Sequence, residues 1–486
     1  MHAAADPRPV ARAMSGITQA LGEWAATAPR ERGTIALERA RDAIEDTVAV
    51  MVAGAGDEGA HAVRRVVAGY GDGAASVIGN AGQGAAAPFA ALANGTSAHA
   101  LDYDDNFLPG LTHASAVLVP ALLALADAHD LSGARLVDAY ITGLDVHAVL
   151  GRGTGRAHYD LGWHNTATVG CIGTAAACAR LLELDADAVT RAISLGVSMA
   201  AGAKVQFGSA AKPYHAGMAA KNAVLAATLA AQGMDARRDA IEGARGFIAL
   251  YAGEPDAHWD ALLAAIRATP AIESSGLAPK LYPCCGSAHR VLDGVIALRE
   301  QYGFRAVEVA RVDATVGYGN QRNLCYPDPR HEMEARFSLE YCVAIALLEG
   351  RLTLADFTHE AVQRPQVRAL FPRVHMHATA PGAEGSDPSA RLPHEVRITL
   401  NDGRVLETSV LWPRGTIAQP FTRSDRDAKF RDCCEGFLAP RSLAEARAAL
   451  AGIATLASVR ELTGHLHFEA GCDRGQRFTR RYAGAA

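Results

Sequence analysis

Residues 93–126 read ANGTSAHALDYDDNFLPGLTHASAVLVPALLALA and set Asp102, Tyr103, Asp104, Asp105, Asn106 and His113 between two apolar, alanine-rich segments with the spacing of buried helices. Pro109 and Gly110 cannot continue a helix, and Thr112 or Ser115 could cap the one that follows. His113 would then lie near a helix N-terminus, where the dipole favours the neutral imidazole and poises it for proton transfer near pH 7. A second histidine, His164, stands in Gly162-Trp163-His164-Asn165-Thr166, again directly before an expected helix. It reads either as a core histidine bonded to backbone or as a second proton carrier. Lys212 and His215 stand three apart before a mostly apolar helix expected to start at Ala216. A lysine so placed either snorkels to solvent or is held inside as a cation for an anionic ligand.

Other chemistries find less support. A net charge of −5 and 20% charged residues give no basic field for nucleic acid. The longest apolar run, 116–126, is shorter than the roughly 18 to 20 residues of a membrane span and contains Pro120. Nine cysteines, four of them in the pairs Cys284-Cys285 and Cys433-Cys434, show no C-x-x-C spacing and read as reduced thiols of a cytoplasmic protein. His375-Met376-His377 and His465-Leu466-His467 each lack a third metal ligand at sensible spacing. The carboxylates of 102–105 could hold a hard cation, although a capping or solvated role is commoner. Gly54 to Gly59 spells G-x-G-x-x-G, but the apolar residues of 35–52 keep one helical period, so the glycines read as a helix stop and not as a dinucleotide fingerprint. No metal or organic cofactor is expected.

The elements that must position these residues are mostly helical. At 486 residues, 49% of them hydrophobic and many of them alanine, the chain should form two domains with a large core. Helices are expected over 17–24, 35–52, 134–151, 166–183 and the segment after Ala216. Composition changes near Thr269. Residues 307–319 alternate as a strand with a change of phase after Val309 that suggests a bulge. Residues 395–400 and 405–410 form a strand pair joined by Asn401-Asp402-Gly403-Arg404, a hairpin signal. A helix is expected over 335–348, a loop over 378–393, and helices again over 425–437 and 443–456. The fold class is therefore mainly α: a large all-helical domain built from both chain ends, 1–272 and 413–486, with a smaller α+β lid domain, 273–412, inserted between. Residues 1–14 and the arginine-rich tail after Gly471 read as frayed ends.

The patches N-G-T-x-x-H-A-x-D-Y-D-D, T-H-x-S and V-P-A-L-L-A-L-A of the first stretch resemble the signature of the MmgE/PrpD family, which includes 2-methylcitrate dehydratases, cis-aconitate decarboxylases and iminodisuccinate epimerases. G-W-H-x-T-A-T-x-G (162–170), K-x-x-H-x-G-x-A-A (212–220), K-L-Y-P-C-C-x-x-x-H (280–289) and E-A-R-F-S-L-E-Y (334–341) extend the resemblance over residues 15–460. It implies the two-domain plan above, a homodimer formed through alanine-rich helices, and chemistry without a cofactor on a small di- or tricarboxylate. Such chemistry needs cations for carboxylates, a base for a carbon-bound proton and an acid. Lys212 and Lys280 would hold carboxylates, His113 and His164 would exchange protons, Tyr318 could donate one, and Asp102 would orient a histidine or lysine. His215, Asn106 and Cys285 are expected at the substrate. Cys285 stands where the decarboxylases have histidine, and Asn106 where several members have threonine. A lyase that dehydrates or decarboxylates is the first expectation. A dicarboxylate epimerase is the second and a non-catalytic carboxylate binder the third.

Overall fold

The alternation of buried and exposed residues resolves into helices in the computed structural model, which describes residues 16–80, 84–251, 257–383 and 392–468. The segment 1–14, residues 384–391 of the expected loop and the tail after Gly471 lie outside the described residues. Nine principal helices come first: α1 (Ile17–Thr27), α2 (Thr34–Gly54), α3 (Glu58–Ala68), α4 (Ala87–His99), α5 (Ser115–Ala128), α6 (Gly133–Asp160), α7 (Val169–Leu181), α8 (Ala186–Met199) and α9 (Ala211–Ala231). The class is mainly α, as the sequence implies.

Small residues let these helices approach closely. A Cβ on Gly95 of α4 would fall 2.9 Å from the Gly217 Cα of α9, and one on Gly217 would fall 2.3 Å from the Leu92 carbonyl. Glycine at both crossings brings the C-terminal end of α4 beside the N-terminal end of α9. That contact sets the site. α2 runs unbroken into Gly54 and Asp57 caps α3 through the Gly59 amide, so the glycine run is a helix stop followed by a cap.

Buried apolar residues fall into two clusters. One joins α1 to α9 with residues near the C-terminal end, among them Phe430, Cys433, Phe437, Leu450 and Leu462, and takes in Leu354 and Ala355. The other spans Tyr282 to Leu406. It surrounds a sheet of order β4-β3-β5-β6, formed by β3 (Val309–Val316), β4 (Val374–Ala378), β5 (His394–Leu400) and β6 (Val405–Val410), after a separate pair β1 (Ala75–Ser76) and β2 (Gly84–Ala85). β3 and β4 are parallel and the other two pairings antiparallel. The register shift between Val309 and Arg311 is the expected bulge, and β5–β6 is the expected hairpin.

Four expectations need correction. α9 begins at Ala211, not Ala216, because Pro213 falls in the first turn, where no intrahelical amide donor is needed. α6 continues to Asp160 across non-helical Gly155. Strand β3 ends at Val316, and Tyr318–Asn323 turns helical. Neither Thr112 nor Ser115 caps α5, since the Ser115 hydroxyl bonds the Asp105 carboxylate instead.

Candidate active site

The turn after α4 holds Asp102 in a left-handed conformation, φ 50°, which a short polar side chain tolerates. Its carboxylate accepts hydrogen bonds from Lys212, on the first turn of α9, and lies 3.0 Å from the ammonium of Lys280, which also donates to the Asp102 carbonyl at 2.8 Å. All three side chains are at most 4% exposed. Burial alone would push the Asp102 carboxyl up, but Lys212 and Lys280 outweigh it and hold the group well below the usual carboxylate range. Burial likewise opposes charge on Lys280, and Asp102 and Asp104 overcome it and raise its pKa. Two buried cations share one carboxylate, which leaves positive charge for a further anion.

Beside this bridge lie four histidines. His99, from the end of α4, donates through Nδ1 to Asp104 Oδ2 at 2.8 Å. His113 Nδ1 faces the same oxygen at 3.2 Å and the Asp105 carbonyl at 2.9 Å. Both partners of His113 Nδ1 are acceptors, so the neutral ring carries its proton there and keeps a lone pair on Nε2. The ring centroids of His113 and His99 are 4.4 Å apart, those of His113 and His164 6.4 Å. His164 Nδ1 meets His215 Nδ1 at 3.2 Å, and His164 Nε2 is buried without a hydrogen-bond partner. Burial lowers all four imidazoles: His99 to about 3, His164 well below its usual value with help from His99 and Lys212, and His113 and His215 less. They are neutral at pH 7. Burial would raise Asp104 too, but the two imidazoles it accepts from keep it ionised.

A cavity of about 220 Å³ opens on this cluster. Asp102, Asn106, His113, His164, Lys212 and Cys285 line it, with Phe107, Phe207 and Phe337 as apolar walls. The structure thus brings most of the expected residues together. Lys280 lies behind Asp102, and His215 stands behind His164. The Asn106 amide packs against Gly286, where a Cβ would come 2.9 Å from its Nδ2. Burial, with Asp102, raises the Cys285 thiol, so this residue is a neutral wall and no thiolate. Tyr318 does not join the cavity. It is 40% exposed, because the helical turn that replaces the expected strand end points its neighbours Gly319 and Asn320 inward instead.

Several lining residues escaped the sequence reading, namely Arg156, Tyr159, Ser287, Arg290, Asn320 and Asn323. His99 escaped as well, although it sits in the matched stretch, since a histidine inside an apolar helix reads as core. The ligand atoms of His99, Asp104 and His113 lie within 4.8 Å of one another and could hold a metal ion. The 2.8 Å contact is the length of a hydrogen bond, however, and is short of the roughly 3.4 Å that two ligands about 2.1 Å from one tetrahedral ion would keep. A second cavity, of about 180 Å³, lies on the far side of Asp105 and touches neither lysine nor any of the four histidines.

Two domain matches and several curated relatives identify the family. Residues 19–260 match the MmgE/PrpD N-terminal domain and residues 282–451 the MmgE/PrpD C-terminal domain. The cis-aconitate decarboxylase of Mus musculus is 28% identical over 407 residues, 81% of this chain and 82% of the relative. That of Homo sapiens is 29% identical over 355 residues, 71% of this chain and 72% of the relative. That of Aspergillus terreus strain NIH 2624 is 26% identical over 448 residues, 86% and 89% of the two chains. With both domain matches in chain order and relatives aligned over most of their length, the chain belongs to the MmgE/PrpD family and is a lyase of that type.

Proposed function

We propose that the chain is a cofactor-independent carboxy-lyase for a small tricarboxylate of the cis-aconitate type. One observation carries the reading: Lys212 and Lys280 share the single carboxylate of Asp102, and Lys212 and Asp102 line one cavity with neutral His113 and His164. A carboxylate placed β,γ to a double bond can leave as CO2 when the pair of the broken C–C bond forms a new double bond. The pair of the old double bond then takes a proton at its far carbon. Negative charge develops on the carboxylate conjugated with that carbon, and the two-lysine bridge is placed to meet it in a low-dielectric wall. His164, neutral with its Nδ1–H held by His215 Nδ1, accepts a proton at its unpartnered Nε2 and passes it to the carbon as it returns to the neutral ring. That proton comes from solvent, one for each CO2 lost, and His113, with Nε2 as its lone-pair atom, takes it up as an imidazolium beside Asp104 and hands it on. The names of the relatives favour decarboxylation over dehydration.

The same residues form the catalytic set we propose: His113, His164, Lys212 and Asp102, with Lys280, Asn106, Cys285 and His215 in support. The cavity is bordered by residues of both apolar clusters, which supports a lid at 273–412 that closes over the helical domain. The alanine-rich helices support a homodimer through that domain, for which sedimentation as a monomer at micromolar concentration would be contrary evidence. A cytoplasmic setting is part of the proposal; among the described residues no helix is long and apolar enough to cross a membrane.

The test is a panel of cis-aconitate, citrate, 2-methylcitrate and aspartate-derived acids in heavy water, followed by NMR before and after chelator treatment. Loss of CO2 from cis-aconitate with one deuterium in the product, unchanged by chelator, is expected. Loss of water from a citrate would make the chain a hydro-lyase. Deuterium wash-in without net loss would make it an epimerase, and binding without any change a carboxylate carrier.

A further inference from the structure

The cavity has a second polar stretch of wall, built by a break in α6. Gly155 has φ 58° and ψ −157°, a conformation essentially reserved for glycine, and the helix resumes after it for one turn. Arg156 and Tyr159, three apart on that last turn, both line the cavity. The Arg156 guanidinium reaches across to the turn Tyr318–Asn323, where Nη2 lies 2.9 Å from the place a Cβ of Gly319 would occupy. Among the described residues its only ion-pair contact is a long one, 3.8 Å to a half-exposed Asp160. Tyr159 donates to Asn323 Oδ1 at 3.3 Å, and Asn320 and Asn323 both donate to the Ser287 hydroxyl, at 3.1 and 3.3 Å. Lys204 Nζ stands 3.3 Å from the centre of the Tyr159 ring and fixes it from behind. Arg290, in the same wall, is already held by the Leu392 carbonyl and Asn320.

From this wall we infer that Arg156, aimed by the Gly155 break and backed by Tyr159 and Asn323, forms a subsite for a carboxylate remote from the reacting bond, selecting tricarboxylates over dicarboxylates. The inference rests on the reading of the cavity as a site for small polycarboxylates. A guanidinium weakly engaged in the ground state, with amide and phenol groups beside it, suits one carboxylate that the lysine bridge does not need. Gly155 matters here for its backbone alone, because nothing lies within 4 Å of a Cβ built on it.

Unreactive acids separate this inference from the reaction. Tricarballylate and methylsuccinate differ by one carboxylate, and their affinities are measured by titration calorimetry at pH 7 on the full chain and on Arg156→Gln, Arg156→Lys and Gly155→Ala. The wild-type chain should bind tricarballylate about tenfold or more tighter, Arg156→Gln should remove most of that preference, and Arg156→Lys should keep part of it. Gly155→Ala, which leaves space but not backbone freedom, should lose the same preference; Arg156→Gln decides the matter if the alanine chain fails to fold. Equal weakening of both acids by Arg156→Gln, no weakening of either, or no wild-type preference overturns the subsite, even in a protein that decarboxylates cis-aconitate. Selective binding in a protein that transforms none of the panel instead overturns the reaction and retains the subsite.

Discussion

Replacing Asp104 by asparagine removes a charge while keeping the shape, and the structure gives both the size and the pH signature of the loss. Asp104 Oδ2 accepts from His99 Nδ1 at 2.8 Å and faces His113 Nδ1 at 3.2 Å, in a pocket where its side chain is fully buried. An imidazolium formed at His113 during proton transfer lies about 4 Å from this anion, worth roughly 4 kcal/mol at an effective dielectric near 20. An amide oxygen can still accept both N–H bonds at about half the strength, so some of that is recovered. The expected net loss of about 3 to 4 kcal/mol corresponds to roughly a 10² to 10³ fall in kcat/KM. Burial lowers the pKa of His113 and Asp104 opposes it, so losing the anion lowers that pKa further. The acid limb of the kcat/KM profile should therefore move to lower pH in the variant, while its plateau falls. Steady-state profiles from pH 5 to 9, with urea midpoints recorded at each pH, supply the comparison. An Asp104→Asn protein within threefold of wild type, or one less stable but with an unmoved acid limb, refutes the argument that this carboxylate sets the tautomer and basicity of His113.

Lys212→Ala should lower turnover by at least about a hundredfold while Lys280 still neutralises Asp102 and preserves the fold; retention of more than about a tenth of the activity would remove Lys212 as the principal carboxylate clamp. His113→Gln and His164→Gln should each cost roughly 10² to 10⁴ in rate, and the double variant should cost far less than their product, because one proton pathway fails as a unit. Full multiplicativity would show two independent roles. Acid should destabilise the chain steeply. His99, His147 and His289, held by burial near 3, and His158, near 4, take up protons on unfolding below pH 6.5. Asp105 and Asp145, raised by burial to about 7, release protons on unfolding and act in the opposite sense. With His164 also held well below its usual value, the histidines outnumber the two carboxyls, so protons are taken up on unfolding between roughly pH 4.5 and 6 and stability should fall with acidification there. Urea midpoints that rise or stay level from pH 6 to 5 would contradict this.

His113, His164 and Lys212 were legible because each stands in a polar patch at the edge of an apolar helical pattern, where a titratable side chain has no local reason to be. The hairpin 395–400 and 405–410 was legible for the comparable reason that alternation and turn chemistry agree over a short span. Strand β4 was not, since five residues carrying two histidines give little pattern and its pairing with β3 is parallel and remote in sequence. His99 and Asp104 separate from their neighbours only once the turn after α4 folds back toward His113. Tyr318 was misplaced by a single-residue question: whether the strand ran on or Gly317 opened a helix, since the two answers turn opposite neighbours inward. Arg156 lies past a backbone break at Gly155 that no periodicity reveals, beyond the helix expected over 134–151.

The pairing of Asn106 with Ala278, through two backbone hydrogen bonds of 2.9 Å each, stitches the loop bearing Asp102 and Asn106 to the chain that leads into the second apolar cluster. Lys280 is only two residues beyond this stitch, so its long side chain starts from an anchored backbone and ends on the Asp102 carbonyl. A free lysine gives up about 2 kcal/mol of rotamer entropy when it is fixed on a ligand. Here folding has already met that loss, and Lys280 holds Asp102, which faces the cavity, in place before any anion arrives. Slack inserted between Ala278 and Lys280 would return the loss to the binding step, and affinity for the anion would then weaken on warming more than it does in the tethered chain.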